Sequence, residues 1–314
     1  MTTDATTPRP GGDPPIPSGS IYDLGYRGYD GPRLGRRHAV GALFTHTLLS
    51  CYGIGRGGRA KIIPFVLAGI AVLPAVIAVG LVALARQAGQ AGEFITDASP
   101  IRYETYFEIV GQIVALFCAA QAPELLGRDQ RYSVLSLYFS RALERTDYAI
   151  AKLGGFVVAL LALVLAPQVI LVLGLTLSSP DLAEGLGENL PKVPPILAQA
   201  ITLSAVFGSL SLAIAAFTPR RAYATAGIIA SFIIPPVVAE IAREVTSRDI
   251  SRWFVLASPP DVIGATNAFF FDIRPDSSVI AAARHPGELY LAVAALAVAA
   301  CTGILIRRYQ RITA

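Results

Sequence analysis

The chain has 314 residues, of which 54% are hydrophobic and 15% are charged, and its mean hydropathy is +0.56. A soluble domain is usually about 45–50% apolar and about 25% charged. The excess of apolar residues would also fit a large soluble core, and the long uncharged runs described below argue against that interpretation. The formal net charge is +4. The basic residues lie beside apolar segments instead of clustering with aromatic residues, which argues against a nucleic-acid partner.

Residues 1–37 are rich in proline, glycine and tyrosine. The first twenty contain too few apolar residues to fold alone, so we predict a disordered or irregular cytoplasmic N-terminus. This stretch also lacks the basic start and apolar core of a cleavable signal peptide, and none is expected.

Residues 38–61 carry an apolar stripe followed by a glycine-rich, basic stretch. The stripe follows the spacing of one helical face: Val40, Leu43, Phe44, Thr47, Leu48 and Cys51. This pattern predicts an amphipathic helix in the inner membrane interface, with a basic anchor behind it. The alternative is a helix packed on the protein's own membrane spans.

Six segments are predicted to cross a membrane as helices. At about 1.5 Å per residue, roughly 20 residues cross a hydrocarbon core of about 30 Å. The predicted spans are residues 62–85, 106–126, 154–177, 196–218, 222–241 and 289–306. The second is the weakest, because Glu108, Gln112, Gln121 and Glu124 interrupt it. An interfacial or re-entrant segment is the alternative there. The expected fold class is an all-α polytopic membrane protein.

Basic residues predict the orientation of the spans. Lysine and arginine beside spans are retained on the cytoplasmic side. The segment before the first span is basic, and so is the tail, residues 307–314. Both ends are therefore expected in the cytoplasm, which requires an even number of crossings. Six crossings in the cell membrane place most of the 26 lysine and arginine residues on the inner side.

Two long segments are predicted to lie between spans. Residues 127–153 form a polar cytoplasmic loop, and residues 241–288 form a large outer loop between the fifth and sixth spans. The outer loop has apolar aromatic patches at residues 253–256 and 269–271. Such patches suit short helices that dip into the outer leaflet. They suit equally well a cap that packs on the bundle, and the two interpretations stay open.

The sequence offers little support for catalysis. The histidines, His38, His46 and His285, have no neighbouring ligand set for a metal. The glycine-rich stretch 53–61 is not followed by the Gly-Lys-Ser/Thr of a phosphate-binding loop. The cysteines, Cys51, Cys118 and Cys301, show no pairing pattern and are expected as buried thiols. We therefore expect neither an enzyme nor a cofactor on this chain.

Ionisable residues are scarce inside the predicted spans. Glu124 and Glu240 come nearest, and each lies near a span end. This scarcity argues against an ion-coupled secondary transporter. The amides Gln112, Gln121 and Gln168 are candidates for an interior path, or for hydrogen bonds between helices.

The end of the 127–153 loop carries a motif. It reads Ser-Arg-Ala-Leu-Glu-Arg-Thr-Asp-Tyr-Ala-Ile-Ala-Lys over residues 140–152, directly before the third span. This resembles the ABC-2 type permeases of ATP-binding-cassette exporters, whose corresponding loop reads roughly Ser-Arg-Pro-Leu-x-Arg-x-x-Tyr-x-x-x-Lys. The matching residues are Arg141, Leu143, Arg145, Tyr148 and Lys152. Ala142 stands where the family usually has proline, which leaves the local turn open.

The resemblance implies that residues 127–152 couple a separate ATPase to movement of the spans. The residues implied in coupling are Arg128, Asp129, Arg131, Tyr132, Tyr138, Arg141, Arg145, Tyr148 and Lys152. The alternative is that they are topology anchors and solvated charge. The resemblance also implies a dimer, with a second copy or a homologous permease, whose second and fifth spans face a central path. On this chain that path maps to Gln112, Phe117, Gln121, Phe232 and Glu240.

The function expected from the resemblance is the permease subunit of an exporter for an amphipathic cargo, such as a drug, a natural product or a lipid-like molecule. ATP and Mg²⁺ would bind the partner ATPase subunit, and membrane lipids would surround the spans. The alternatives are a secondary transporter or channel, and a non-transporting membrane scaffold subunit. The sequence leaves the cargo open.

Overall fold

The computed structural model describes residues 31, 34–87, 102–139, 143–275 and 277–311. Within these ranges the chain is helical and contains no β-strand. Gly35–Ala314 cluster as one compact unit. The predicted irregular N-terminus lies almost entirely outside the described residues, except that a helix already begins at Gly35.

Twelve α-helices are described. In chain order they are α1 (Gly35–Cys51), α2 (Arg59–Gln87), α3 (Tyr103–Arg131), α4 (Leu135–Phe139), α5 (Arg145–Leu177), α6 (Leu182–Asn189), α7 (Val193–Ala216), α8 (Arg221–Val245), α9 (Arg248–Phe254), α10 (Pro259–Phe271), α11 (Ser278–Ala283) and α12 (Gly287–Gln310). Short 3₁₀ turns at Leu190–Lys192 and Val255–Ala257 join α6 to α7 and α9 to α10.

Six of these helices are long and apolar enough to cross a membrane: α2, α3, α5, α7, α8 and α12. Each overlaps one of the six predicted segments, so the predicted all-helical class with six helices of membrane-spanning length is confirmed. The chain is a multi-pass membrane protein. The weakest segment is a continuous helix of 29 residues with Pro123 inside it.

The low hydropathy of α3 follows from its place in the bundle. In its most apolar stretch 61% of the residues are buried inside the protein, against 17% for both α2 and α12. α7 is likewise an inner helix at 67%. A side chain that faces protein can find hydrogen-bond partners that lipid does not provide. The inner helices can therefore carry amides and carboxylates, while α2 must present apolar residues to lipid.

The apolar stripe of α1 packs against the start of α5. Leu43, Thr47 and Cys51 are buried there. Two consecutive glycines of α5 make the close approach possible, because a Cβ at Gly155 would lie 2.8 Å from the carbonyl oxygen of Phe44. The stripe thus covers the protein's own span, which was the alternative interpretation. The placement of α1 in a membrane interface stays a prediction.

The segment between α8 and α12 packs on the end of the bundle. Val255 is completely buried, and the ring of Phe271 lies 6.0 Å from that of Phe107 in α3. Trp253 and Phe269 are 52% and 39% exposed. The aromatic patches therefore divide: some residues pack as a cap, and others stay on the surface.

Candidate functional site

Three residues of the predicted coupling set form a buried network between α3 and α5. The Tyr148 hydroxyl donates to Asp129 Oδ2 at 2.6 Å, and Lys152 Nζ lies 2.8 Å from the same oxygen. Lys152 also donates to the carbonyl oxygen of Leu125 at 3.1 Å. Tyr148 is completely buried and Lys152 is 3% exposed. A buried charge is tolerated only with such partners, so this network fixes the end of α3 to the start of α5.

The ring of Tyr148 is the centre of an aromatic cluster. It lies 4.9 Å from the ring of Tyr309 in α12 and 5.6 Å from that of Tyr138 in α4. Gln130 donates from Nε2 to the hydroxyl of Tyr309 and to the carbonyl oxygen of Ala216, both at 3.2 Å. The short helix α4 and the ends of α7 and α12 are thereby joined to the same network.

Two arginines of the predicted set bond to neighbouring chain segments. Arg145 donates to the carbonyl oxygen of Gln310 at 3.0 Å, and its guanidinium lies 5.7 Å from the ring centre of Phe139. Arg131 donates to the carbonyl oxygen of Pro219 at 3.3 Å. The first arginine holds the end of α12 against the start of α5, and the second holds the α7–α8 turn against the end of α3. We call this side of the bundle, where α3, α7 and α12 end and α5 and α8 begin, the basic end.

A smaller set of the predicted coupling residues stays exposed at the basic end. Tyr132 is 68% exposed, and Arg128 and Arg131 also lie on the surface. Arg141 lies outside the described residues. The predicted coupling residues therefore divide into a buried group that can act only by positioning the helices and an exposed group that a partner can reach.

The sequence prediction missed an ion pair that ties α1 to the start of α5. Arg36 Nε lies 2.7 Å from Asp147 Oδ2, and Arg36 also pairs with Glu144. The hydrogen bond to Asp147 raises the pKa of Arg36 above its ordinary value. Glu144 and Asp147 cap α5 reciprocally. The pair has the three-residue spacing of a capping box, but Glu and Asp stand where Ser or Thr and Glu or Gln are usual, so the sequence carried no clear signal for this helix start.

Glu124, one of the two carboxylates nearest to membrane depth, is neutralised at the basic end. Its carboxylate lies 2.6 Å from Arg221 Nη1 and 3.9 Å from Arg56 Nη1. Arg56, Arg128 and Tyr132 line a cavity of about 560 Å³ beside it. Because two arginine side chains lie close to its carboxylate, Glu124 is an ion-pair partner and not an isolated charge in lipid.

A larger cavity of about 830 Å³ lies between α3, α7, α8 and α10. Gln112 and Phe232 from the predicted path line it. Phe117 does not: it is completely buried, with its ring 5.8 Å from that of Tyr52. Gln121 is buried in the helix bundle at 6% exposure. The structure thus brings together two residues of the predicted path and separates others from it.

Glu240 lies on α8 beyond the cavity lining and pairs with Arg243 at 2.6 Å. Gln168, the third amide, donates to the carbonyl oxygen of Tyr103 at 3.2 Å. That bond joins α5 to α3, as the helix–helix alternative predicted for it.

The sequence prediction also missed polar residues at the cavity. Glu104 and Glu108 lie in the first turns of α3, while Asp261 and Asn267 lie on α10. Only the folding of α10 against α3, where Asn267 Nδ2 donates to the carbonyl oxygen of Glu104 at 2.9 Å, brings these groups together. In the sequence, Glu104 and Glu108 simply lie close to the start of a predicted span, and nothing in their spacing indicated that they would meet residues of α10.

No protein-family model matches the chain, and no curated protein matches it either. The resemblance to ABC-2 permeases consequently rests on the loop motif and the arrangement of helices alone.

Proposed function

We propose that the chain is the permease subunit of an ATP-binding-cassette exporter, driven by a separate ATPase subunit that binds ATP and Mg²⁺. The observation that carries the proposal is the network at the basic end. The exposed residues Arg128, Arg131 and Tyr132 stand beside a buried group, Asp129, Tyr148 and Lys152. Together with Gln130, that group links four of the six candidate spans, α3, α5, α7 and α12, through side-chain bonds and ring contacts.

An ATPase subunit bound to this surface would move several spans together. Well-packed, hydrogen-bonded groups transmit a displacement instead of absorbing it. A flexible loop would bend under the same load. The rigid connection between the surface and the spans is the property that a coupling element requires.

The proposed orientation places the basic end, α4 and both chain termini in the cytoplasm, with the protein in the cell membrane. Lysine and arginine retained on the inner side are the physical reason. The larger cavity then opens toward the outer half of the membrane. The proposed path for an amphipathic cargo runs along α3 and α8, where a second permease copy or a homologous permease would complete it.

Copurification from native membranes tests the proposal. The tagged chain is expected to bring down a soluble subunit with nucleotide-binding motifs. In the double variant Arg128→Glu, Tyr132→Ala the recovery of that subunit should fall at least roughly tenfold, because reversing an interface charge and truncating an aromatic side chain each remove binding energy. Arg274→Glu, which changes an exposed arginine between α10 and α11, is the matched control and should leave recovery unchanged.

A carrier driven by an ion gradient is the second candidate function, and one observation favours it. Asp261 Oδ2 is buried at the cavity and has no hydrogen-bond partner among the described residues. Burial raises the pKa of this carboxyl group. Transport by the chain alone in proteoliposomes, driven by a proton or sodium gradient and lost in Asp261→Asn, would establish the carrier and remove the exporter.

A further inference from the structure

The smaller cavity, at the basic end, holds more positive charge than its surroundings offset. Within the described ranges its lining contains three arginines, Arg56, Arg128 and Arg131, and one carboxylate, Glu124. That carboxylate already lies 2.6 Å from Nη1 of Arg221, which is outside the lining. Arg56 reaches Glu124 only at 3.9 Å, and Arg128 has no ion-pair partner among the residues that the structure describes. We call this cavity the basic pocket.

The surroundings of Arg56 show the same excess of positive charge. Its side chain is 20% exposed. Burial and, next, the positive charge of Arg128 lower the pKa of Arg56 below its ordinary value. The nearby carboxylates, Glu124 and Asp129, oppose this shift without cancelling it. Two guanidinium groups therefore repel each other in a partly enclosed space, and an anion between them would stabilise both.

Part of the pocket wall is glycine backbone. Gly55 and Gly57 line the pocket and are exposed. A Cβ at either position would have open space around it, so a ligand can approach the main chain there. In the described part of the chain, neither peptide N–H donates to a backbone carbonyl oxygen. Guanidinium groups and free peptide N–H groups are donors that suit phosphate oxygens.

An apolar surface adjoins the pocket, which favours a lipid over a soluble anion. Ala60 lines the pocket in the first turn of α2. Ile63 follows it by three residues, so the two lie on one side of the helix, and Ile63 is 47% exposed. Phe65 and Val66, further along α2, are also exposed. Since only 17% of the most apolar stretch of α2 is buried, acyl chains are the expected neighbours of this surface.

The aromatic residue of the lining fits the same occupant. Tyr132 lines the pocket and is 68% exposed. Tyrosine is enriched where a membrane meets water, because its ring is apolar and its hydroxyl is polar. The pocket volume of about 560 Å³ lies within the range of about 300–1,000 Å³ that is typical of ligand sites.

We propose that the basic pocket binds the phosphate group of an anionic phospholipid, held by Arg56 and Arg128, with the acyl chains along the exposed side of α2 at Ile63. Arginine bonds phosphate oxygens through two parallel hydrogen bonds, and a basic pocket between membrane spans suits an anionic head group. The inference goes beyond the proposed function, since the lipid binds whether or not an ATPase drives the chain.

Native mass spectrometry of the full chain tests the proposal. The detergent-solubilised protein is equilibrated with equal amounts of phosphatidylglycerol and phosphatidylcholine before the detergent is removed in the spectrometer. The expected result is saturable retention of one phosphatidylglycerol molecule per chain, with at least roughly tenfold preference over phosphatidylcholine. Equal retention of the two lipids overturns the proposal.

A soluble probe distinguishes a lipid from a free phosphate. Glycerol phosphate carries the same phosphate chemistry without acyl chains, so at equal concentration it should displace little of the bound phosphatidylglycerol. Its displacement of most of the lipid would mean that the site takes a free phosphate, and the lipid assignment would be wrong.

Three variants locate the bound phosphate. Arg56→Gln should weaken phosphatidylglycerol binding roughly tenfold, which corresponds to the loss of one partly screened charge. Arg59→Gln is the matched control, because it removes the same charge at an exposed position outside the lining and should leave the affinity unchanged. Glu124→Gln removes the carboxylate from the lining and should strengthen binding, a gain that misfolding cannot produce. Equal losses in the two arginine variants, or unaltered affinity in Arg56→Gln and Glu124→Gln, would contradict the assignment.

Recovery of the ATPase subunit, measured on the same variants, separates this inference from the exporter assignment. Lipid selectivity in a chain that recovers no ATPase would retain the lipid site and remove the exporter. Recovery of the ATPase without lipid selectivity would leave the exporter standing and remove the lipid site. If Arg56→Gln keeps its lipid selectivity and loses the ATPase instead, the pocket receives an acidic segment of that subunit and the lipid assignment fails.

Discussion

Lys152 illustrates how much a single side chain decides in this protein. In the sequence it is the last residue of a basic motif and could be solvated charge. In the structure it is 3% exposed and bonded to Asp129 and to the carbonyl oxygen of Leu125. Removing one member of a buried pair leaves the other charge without compensation, which costs more than the pair itself contributes.

We expect Lys152→Met to lower the free energy of unfolding by about 3 kcal/mol, because Asp129 would remain largely buried without its cation. The matched control is Arg243→Met, whose partner Glu240 is 45% exposed, and there the loss should stay below about 1 kcal/mol. Unfolding by a denaturing detergent, followed by circular dichroism, measures both. Equal losses in the two variants would mean that the Lys152 network contributes no more than a surface pair.

At the scale of elements, glycine placement explains how α1 docks on α5. Gly154 and Gly155 lie where Phe44 and Thr47 of α1 approach, and a side chain at Gly155 would meet the α1 backbone. Gly41, on α1 itself, has open space around it. Gly155 therefore permits the contact between α1 and α5. Gly41 makes no such contact and only weakens the helix α1.

Gly155→Ala and Gly41→Ala are predicted to change stability in opposite directions. The Gly155 substitution should destabilise the protein by about 1–3 kcal/mol, since α1 must shift. It should also expose α1 to proteolysis. The Gly41 substitution should be neutral or stabilise by up to about 1 kcal/mol, as alanine favours a helix over glycine. Thermal unfolding and limited proteolysis of the two variants give the comparison; a stabilised Gly155→Ala protein would show that α1 is not held in this position.

For the whole molecule, the arrangement of spans predicts that α4 and α6 lie on opposite sides of the membrane. Cysteines introduced as Ser136→Cys in α4 and Glu184→Cys in α6 occupy exposed positions. An impermeant maleimide should label Glu184→Cys in intact cells and Ser136→Cys only after permeabilisation. Labelling of Ser136→Cys in intact cells would place the coupling surface outside and end the assignment as an ATP-driven permease.

The native cysteines allow this measurement with one replacement. Burial raises the pKa of Cys51 to about 12, so at neutral pH its thiol stays protonated and the reactive thiolate is scarce. Cys118 is completely buried. Only Cys301, which is partly exposed on α12, needs to be changed to alanine.

The apolar runs of the sequence by themselves determined the helical class and the six candidate spans. The reason is that a hydrocarbon core demands long apolar helices whatever their neighbours are. The sequence likewise predicted the apolar stripe of α1, although it left open whether lipid or the protein's own spans would cover it. Local periodicity identifies a face, not its partner.

Only the tertiary structure decided which polar residues are buried, paired or gathered at a cavity. Asp129 and Lys152 are 23 positions apart, and Glu104 and Asn267 are 163 apart. Electrostatic and hydrogen-bond energies depend on distance in space and on the surrounding dielectric, and both are set by how α3, α5, α7 and α10 pack. For that reason the motif at 140–152 could suggest a motor, whereas both cavities became visible only in the fold.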